Sequence, residues 1–136
     1  MDAPRNLRGA IKEMYPLDKG VLIARPIDDI RLGHRVSISR RALKHIIEER
    51  KADGYSLDKI YRLLVRVLRA VRRPGLIAKN LNKKYPNSIV FGRSFTLTKE
   101  YAVVICEPEG ESFRIINAFY RSKSKYDKLK AKSERR

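Results

Sequence analysis

The chain has 136 residues, 43% of them hydrophobic, which is enough to bury one core without disulfide bonds. Thirty-two Lys and Arg residues against 15 Asp and Glu residues give a formal net charge of +17, which favours nucleic acid as a partner and, second, an anionic membrane surface. Neither an early apolar run nor a later run of about 18 apolar residues occurs, which argues against a signal peptide and a membrane-spanning helix.

The N-terminal third of the chain predicts an irregular arm, two short strands and a helix. Residues 1–20 mix proline, glycine and charge, which is typical of an irregular arm. Short strands are expected at 21–24 and 36–38. Ser39 follows the second strand, and its side-chain oxygen can accept hydrogen bonds from the free N–H groups of a helix's first turn. We therefore predict a helix over residues 40–52.

His45 occupies the polar side of this predicted helix. The apolar residues follow the i, i+3, i+4 spacing of one buried face, and they are Leu43, Ile46 and Ile47. At about 100° per residue, His45 lies nearly opposite that face, and Glu49 follows one turn later. Two interpretations stay open: a solvated histidine beside a glutamate, or an imidazole that the carboxylate prepares for proton transfer.

The second predicted helix, residues 56–73, carries a row of arginines. Its apolar residues recur with the helical period, and they are Ile60, Leu63, Leu64, Val67, Leu68 and Val71. On another face four arginines repeat at a similar interval, and these form the arginine stripe: Arg62, Arg66, Arg69 and Arg73. Such a stripe suits either a solvated helix face or a track for the phosphate backbone of a nucleic acid.

The pattern after Gly75 changes to β-structure. Strands are expected at 76–83, 88–98, 101–106 and 113–120, the second with a bulge at Gly92. Helices come first and strands follow, without alternation between them. We therefore predict an α+β fold in which two N-terminal helices pack on a C-terminal antiparallel meander of three to four strands. It forms a single domain over residues 21–120.

The last strand and the tail contain further candidate residues. Strict alternation places Asn117 on the face that holds Phe113 and Ile115, and it places Tyr120 on the other face. Asn117 therefore makes either a structural hydrogen bond to the backbone or a contact with substrate. Tyr120 either covers the sheet edge or contacts a phosphate or a base. Residues 121–136 predict a basic, partly disordered tail that begins as a short helix and frays into disorder. This tail is either solubilising or an arm for nucleic acid.

Several kinds of site are excluded or disfavoured. The chain has no GxxxxGK[ST] and no GxGxxG motif, which argues against a nucleotide-hydrolysing or dinucleotide-binding fold. Cys106 is the only cysteine, which excludes a disulfide framework and a cysteine-based zinc site and favours a reducing, cytoplasmic location. His34 and His45 are not spaced as zinc ligands, and the adjacent Asp28 and Asp29 are more typical of a solvated turn. We expect neither a metal nor a cofactor.

Acid–base chemistry on a basic surface suits the cleavage of RNA, because the 2′-hydroxyl supplies an internal nucleophile. The protein has to deprotonate that hydroxyl, protonate the leaving oxygen and stabilise charge on the phosphorane. His45 and Glu49 are the candidates for the two proton transfers, and Tyr120 for a hydrogen bond to the phosphate. The cations expected to hold the phosphate are Arg93, Arg114, Arg121 and Lys123, together with the arginine stripe.

The order of these motifs resembles a known family. A strand followed by VSISRRALKHIIEER, a second helix ending in RRPG and a final strand FRIINAFY are similar to the barnase/EndoU/colicin/RelE-like (BECR) ribonuclease superfamily, in its phage and polymorphic-toxin branch. The resemblance covers residues 21–130. It implies a catalytic role for His45 and a catalytic or substrate-binding role for Asn117. Members commonly have a hydroxyl residue where this chain has Asn117, so the departure indicates an altered mechanism or a domain that binds RNA without cutting it.

Three functions follow as expectations. The first is a small metal-independent endoribonuclease of the toxin or mobile-element type, with His45, Glu49, Asn117 and Tyr120 in its site. The second is a non-enzymatic nucleic-acid-binding protein of viral or mobile-element origin, for which RNA is preferred over DNA. The third is a structural or interaction protein whose basic surface docks to an acidic partner or inhibitor. A cleft in which His45 meets Asn117, Arg93 or Tyr120 would favour the enzyme.

Overall fold

The structure is a computed structural model, and it describes residues 21–22, 35–79, 84, 87–110 and 112–134. The expected irregular arm at residues 1–20 lies outside the described residues. His34 and the adjacent Asp28 and Asp29 lie outside them as well.

Two capped helices occupy the N-terminal half of the described chain. Helix α1 is Arg40–Ala52, and helix α2 is Leu57–Arg72. The Ser39 Oγ atom accepts a hydrogen bond from the Ala42 N–H at 3.0 Å, which satisfies one of the free donors of the first turn of α1. Ser56 caps α2 in the same way. Both predicted helices and the predicted cap at Ser39 are therefore confirmed, and the Ser56 cap is an additional finding.

The strands form one sheet of six in the described residues. Their bounds are β1 Val21–Leu22, β2 Arg35–Ser37, β3 Leu76–Lys79, β4 Ile89–Phe95, β5 Glu100–Glu109 and β6 Ser112–Arg121. They lie side by side in the order β1-β2-β6-β5-β4-β3. Strand β2 runs parallel to β6, with Val36 opposite Phe113, and the other neighbouring pairs are antiparallel.

The predicted arrangement of two helices on a meander of three to four antiparallel strands is wrong. The fold is α+β, but the sheet is mixed, because β2 from the N-terminal half adds to the edge of the C-terminal meander. The short helix expected in the basic tail is present as a third helix, α3, which spans Lys123–Glu134. A pattern of apolar residues reports that a strand exists, but it does not report which distant strand pairs with it.

The core is divided between the two faces of the sheet. Helices α1 and α2 cover the first face, where Phe91, Ile46, Leu63 and Ile115 are among the largest fully buried side chains. Helix α3 covers part of the second face, where Tyr126 is 4% exposed. Tyr126 and its buried neighbours form a smaller cluster there: Leu76, Ala78, Val90 and Val103. The molecule is therefore built in three layers, with the sheet in the middle.

Gly92 makes room for the docking of α3. The bulge expected at this glycine is not found, because Gly92 pairs with Leu76 on one side and with Val103 on the other, in an unbroken register. A β-carbon at residue 92 would lie 2.8 Å from Cγ of Leu76 and 2.9 Å from Cε2 of Tyr126. The absence of a side chain thus allows the Tyr126 ring to pack closely against β4.

Candidate nucleic-acid interface

A bulge in β6 decides which side chains share a face. The register runs from Ile105 opposite Asn117 to Cys106 opposite Ile115, so Ile116 is the extra residue of β6. One extra residue reverses the alternation of every side chain that follows it. Asn117 therefore lies on the second face, which α3 partly covers. Two predictions are wrong for this reason: Asn117 does not share a face with Ile115, and Tyr120 does, because it packs with Ile115 against the core of the first face.

The Asn117 side chain is engaged with its own strand. Its Oδ1 atom accepts a hydrogen bond of 2.9 Å from the backbone N–H of Ala118. In the described chain, β2 pairs with β6 as far as Ser37 opposite Arg114. The Ala118 N–H lies beyond this paired part of β6. Of the two interpretations of Asn117, the structural hydrogen bond to the backbone is the one present in the structure.

His45 lies on the exposed side of α1, as its helical position predicted. Its side chain is 53% exposed, and its Nε2 atom lies 3.3 Å from Oε1 of Glu49. In the described part of the chain, Glu49 is the only residue that contacts the imidazole through an ion pair or a hydrogen bond. Helix α1 packs on the first face, whereas Asn117 faces the second, so the structure does not bring His45 and Asn117 together.

Tyr120 belongs to a charged cluster on the first face. Its hydroxyl oxygen accepts a hydrogen bond of 3.1 Å from Nη1 of Arg66, and the same nitrogen lies 2.6 Å from Oε1 of Glu100. Arg62 reaches the other carboxylate oxygen at 3.2 Å. The Tyr55 ring stacks on Tyr120 with 6.0 Å between ring centroids. This cluster combines two residues of the arginine stripe with Glu100, which sequence reasoning did not select.

The pKa shifts in this cluster follow from burial and pairing. Burial acts to raise the pKa of Glu100, but hydrogen bonds from Arg62, Arg66 and Thr98 outweigh it and lower the pKa below the usual glutamate value. Burial acts to lower the pKa of Arg66, and its bonds to Glu100 and Tyr120 reverse that effect. Burial raises the pKa of the Tyr120 hydroxyl. Glu100 and Arg66 are therefore charged and Tyr120 is neutral at pH 7.

The arginine stripe does not form a continuous track of free cations. Arg66 is only 13% exposed, and both Arg66 and Arg62 are paired with Glu100. Arg69 and Arg73 are exposed, and the Arg73 carbonyl oxygen accepts a hydrogen bond of 2.6 Å from Arg93. Arg62 and Arg66, the half of the stripe nearest the N-terminus of α2, are therefore engaged in ion pairs with Glu100.

Two other predicted phosphate ligands have acidic neighbours. The Arg114 guanidinium lies 3.7 Å from Glu107 and 3.5 Å from Glu109. The Lys123 ammonium lies 2.9 Å from Asp127, one turn along α3. These carboxylates reduce the attraction that either cation exerts on a phosphate.

A groove lies beside α3 on the second face of the sheet. It has a volume of about 420 Å³, within the range of ligand-binding pockets. Strands β4, β5 and β6 and helix α3 supply its apolar residues, which are Val90, Val103, Ile105, Phe119 and Leu129. Four cations line the same groove, and they are Arg121, Lys125, Lys128 and Lys132. None of these four forms an ion pair with a described carboxylate, unlike the neighbouring Lys123.

The three groove lysines were not among the predicted site residues. They stand at i, i+3 and i+7 of α3, a spacing that puts them along one side of a helix. The spacing was present in the sequence, but the sequence did not show how far the short helix expected in the tail extends, and the row of lysines requires a helix that reaches Lys132. Arg121 was predicted, and its guanidinium lies 4.3 Å from the centroid of the Phe119 ring, within cation–π distance.

Two kinds of feature are absent from the described residues. No three His, Cys, Asp or Glu side chains among them are grouped as a metal site. None of the described helices is both long and apolar enough to cross a membrane.

Comparison with known proteins finds no relative of this chain. No family model, no curated protein and no solved structure matches this chain, so membership of the BECR superfamily stays a prediction.

Proposed function

We propose that the protein binds nucleic acid, with RNA preferred over DNA, and that the groove beside α3 is the contact surface. One observation carries the proposal: Arg121, Lys125, Lys128 and Lys132 line a single groove and have no carboxylate partner among the described residues. Cations without internal partners attract phosphates more strongly than cations whose charge is already matched. The net charge of +17 adds a long-range attraction for any polyanion.

The other predicted cations support this choice of surface by contrast. Arg62 and Arg66 are paired with Glu100, and Arg114 lies between two glutamates. A phosphate binds these arginines more weakly, because the existing ion pairs with the glutamates have to be separated first. The groove cations incur no such cost. A cytoplasmic location, where RNA is abundant and cysteines stay reduced, is part of the same proposal.

The test is fluorescence anisotropy with labelled RNA and DNA over a range of salt concentrations. We compare the wild type with a groove variant that combines Lys125→Gln, Lys128→Gln and Lys132→Gln. A matched control removes the same charge from the exposed side of α1, with Arg41→Gln, Lys44→Gln and Lys51→Gln. Each lost phosphate contact removes about 0.7 from the slope of log K against log salt for single strands, so the groove variant should lose about 2.

The control variant should bind with nearly the wild-type slope, because it lowers only the long-range attraction. An equal loss in both variants would show that net charge, rather than the groove, carries the binding. No measurable binding of the wild type to RNA or DNA at low salt would refute the proposal itself.

A second candidate, the metal-independent endoribonuclease, is supported by the pair of His45 and Glu49. An exposed imidazole with a carboxylate 3.3 Å from Nε2 is suited to accept and return a proton. The pair lies on the first-face side of the sheet, so on this proposal cleavage and groove binding use different surfaces. Asn117 has no role in this version of the mechanism, because its side chain binds the backbone of β6.

The ribonuclease is tested by incubating the full-length protein with labelled RNA in EDTA. We expect fragments that end in a cyclic phosphate from the wild type and none from His45→Ala. Glu49→Gln should slow the reaction, because glutamine keeps the contact but removes the negative charge. Intact RNA in every reaction would refute the ribonuclease proposal. It would not contradict the binding of nucleic acid in the groove.

A further inference from the structure

The groove has an apolar floor as well as a basic rim. Val90 and Val103 are almost fully buried beneath it, whereas Ile105, Phe119 and Leu129 are partly exposed. Phosphates gain nothing from apolar side chains, so a ligand that matches the whole groove carries an apolar face next to its negative charges. A nucleobase attached to a phosphodiester backbone has this composition.

Phe119 is placed to stack with a flat ligand. Its ring is partly exposed in the groove, with the Arg121 guanidinium 4.3 Å from its centroid. The buried Arg50 guanidinium lies 5.5 Å from the same centroid. Both guanidinium groups lie within cation–π distance and restrain the ring, so a base packs against the part of the ring that they leave exposed in the groove.

The spacing of the groove lysines suits a single strand that runs along α3. Lys125 and Lys132 are seven residues apart, which is about 10 Å along a helix axis at 1.5 Å per residue. At 3.4 Å per nucleotide of a stacked strand, that distance corresponds to about three nucleotides. Lys128 lies between them, so the helix offers a row of ammonium groups to successive phosphates.

We infer that the groove binds single-stranded nucleic acid in preference to duplex, with a base packed against Phe119 and the phosphates on Arg121 and the α3 lysines. This inference rests on the proposed function. In a duplex the bases are stacked and paired inside, and only the sugar–phosphate backbone and the groove edges meet the protein. A duplex therefore contacts the basic rim but leaves the apolar floor unfilled.

The experiment compares a labelled single strand of about 12 nucleotides, a length within the range of single-strand binding sites, with the duplex of the same sequence. The variant Phe119→Leu keeps an apolar floor and removes the ring. Phe95→Leu is the matched control, because Phe95 is also partly exposed and has arginine guanidinium groups 4.4 and 5.9 Å from its centroid, but it lies outside the groove.

We expect the single strand to bind at least about tenfold more tightly than the duplex at equal salt. Phe119→Leu should weaken single-strand binding by about tenfold, the effect of losing one stacked base, and should leave duplex binding unchanged. Phe95→Leu should leave both affinities unchanged. If Phe119→Leu does not fold, NMR of the wild type replaces it, and the Phe119 ring protons should shift with the single strand but not with the duplex.

The outcomes separate the two proposals. Equal affinity for single strand and duplex, with no effect of Phe119→Leu, would overturn the inference and leave nucleic-acid binding intact. Failure to bind either oligonucleotide would overturn the proposed function. Tighter binding to phosphatidylserine vesicles than to the single strand would also overturn the inference, since the groove would then be suited to an anionic lipid surface.

Discussion

The Arg50 Nη1 atom donates a hydrogen bond of 2.8 Å to the carbonyl oxygen of Ala118. This oxygen belongs to the part of β6 that β2 does not cover in the described chain. Two neighbouring backbone groups are satisfied by side chains too: the Ala118 N–H donates to Asn117, and the Tyr120 N–H donates to the Tyr55 hydroxyl at 3.0 Å. Side chains thus take the place of a neighbouring strand and block the addition of a foreign one.

Replacing Arg50 should destabilise the fold. Its side chain is 6% exposed and also lies 3.0 Å from Asp53, so Arg50→Met removes a charged hydrogen bond and an ion pair while keeping an apolar stem. We expect a loss of about 2 kcal/mol in the free energy of unfolding, measured with urea. Arg69→Met, at an exposed position of α2, should change the free energy by less than about 0.5 kcal/mol. Equal effects of the two substitutions would contradict the assigned role of Arg50.

Acid should weaken the fold through Glu100. Its pKa is lowered in the folded protein, so the folded state binds the proton less readily than the unfolded state. The stability that Glu100 contributes is therefore complete above the unfolded glutamate pKa of about 4.3 and is lost as the pH falls through the lower folded pKa. The difference in unfolding free energy between wild type and Glu100→Gln should shrink across that window.

The control for this pH dependence is Glu109→Gln. Glu109 also lies near an arginine, Arg114, but its side chain is 65% exposed. Exposed ion pairs contribute little, so this variant should follow the wild-type stability curve from neutral to acidic pH. A constant gap between wild type and Glu100→Gln down to pH values well below about 4 would rule out the linkage.

Local patterns predicted the helices well and the sheet only in part. The bounds of α1 and the cap at Ser39 follow from the serine and from the apolar spacing of the next residues. Nothing local to Val36 indicates that its strand runs parallel to β6 and pairs with Phe113, because that contact is set by the packing of the whole chain. Among the α3 residues whose side chains the structure describes, Tyr126 and Leu129 pack inward, and the burial of Tyr126 depends on the space that Gly92 leaves.

The candidate site was less predictable than the fold. One extra residue, Ile116, places Asn117 on the face opposite to the predicted one. The alternation of apolar and polar residues in the sequence does not show where such a bulge occurs. The pairing of Arg66 with Glu100 joins residues 34 positions apart, so the stripe on α2 gave no sign that its charge is matched. His45 was placed correctly on the polar side of α1, since that depends on helical geometry alone.

Adding a methyl group at residue 92 should loosen α3. In Gly92→Ala the new β-carbon meets Leu76 and Tyr126 at less than 3.0 Å, so one of them has to move. We expect lower stability and faster amide exchange or proteolysis in residues 123–134. A double-mutant cycle is the control: in a Tyr126→Ala background the same substitution should be less destabilising, because only Leu76 remains in the way. Additive effects would contradict direct packing of Gly92 against Tyr126.

The Cys106 thiol should be unreactive in the native protein. It is fully buried in the core of the first face, and burial raises its pKa well above the usual thiol value. The thiolate is the reactive form, so both its low population and its lack of access slow alkylation. Iodoacetamide should modify Cys106 only when the protein is unfolded in urea. Rapid modification under native conditions would mean that β5 opens locally.

Two substitutions at Asn117 separate its structural role from a role in binding. Asn117→Asp keeps an oxygen that accepts from the Ala118 N–H, whereas Asn117→Ala leaves that N–H without its partner. Stability at pH 7 should therefore fall by about 1 kcal/mol in the alanine variant and stay near wild type in the aspartate variant.

RNA affinity should show the opposite order at the same position. Residue 117 shares the second face with Phe119 and lies opposite Ile105 in the register, so Asn117→Asp puts a negative charge beside the groove floor. That charge repels a phosphate, and the repulsion is stronger near an apolar surface than in bulk water. Anisotropy titrations should find weaker binding for aspartate than for alanine. Unchanged affinity in the aspartate variant would move the nucleic-acid interface away from this face of the sheet.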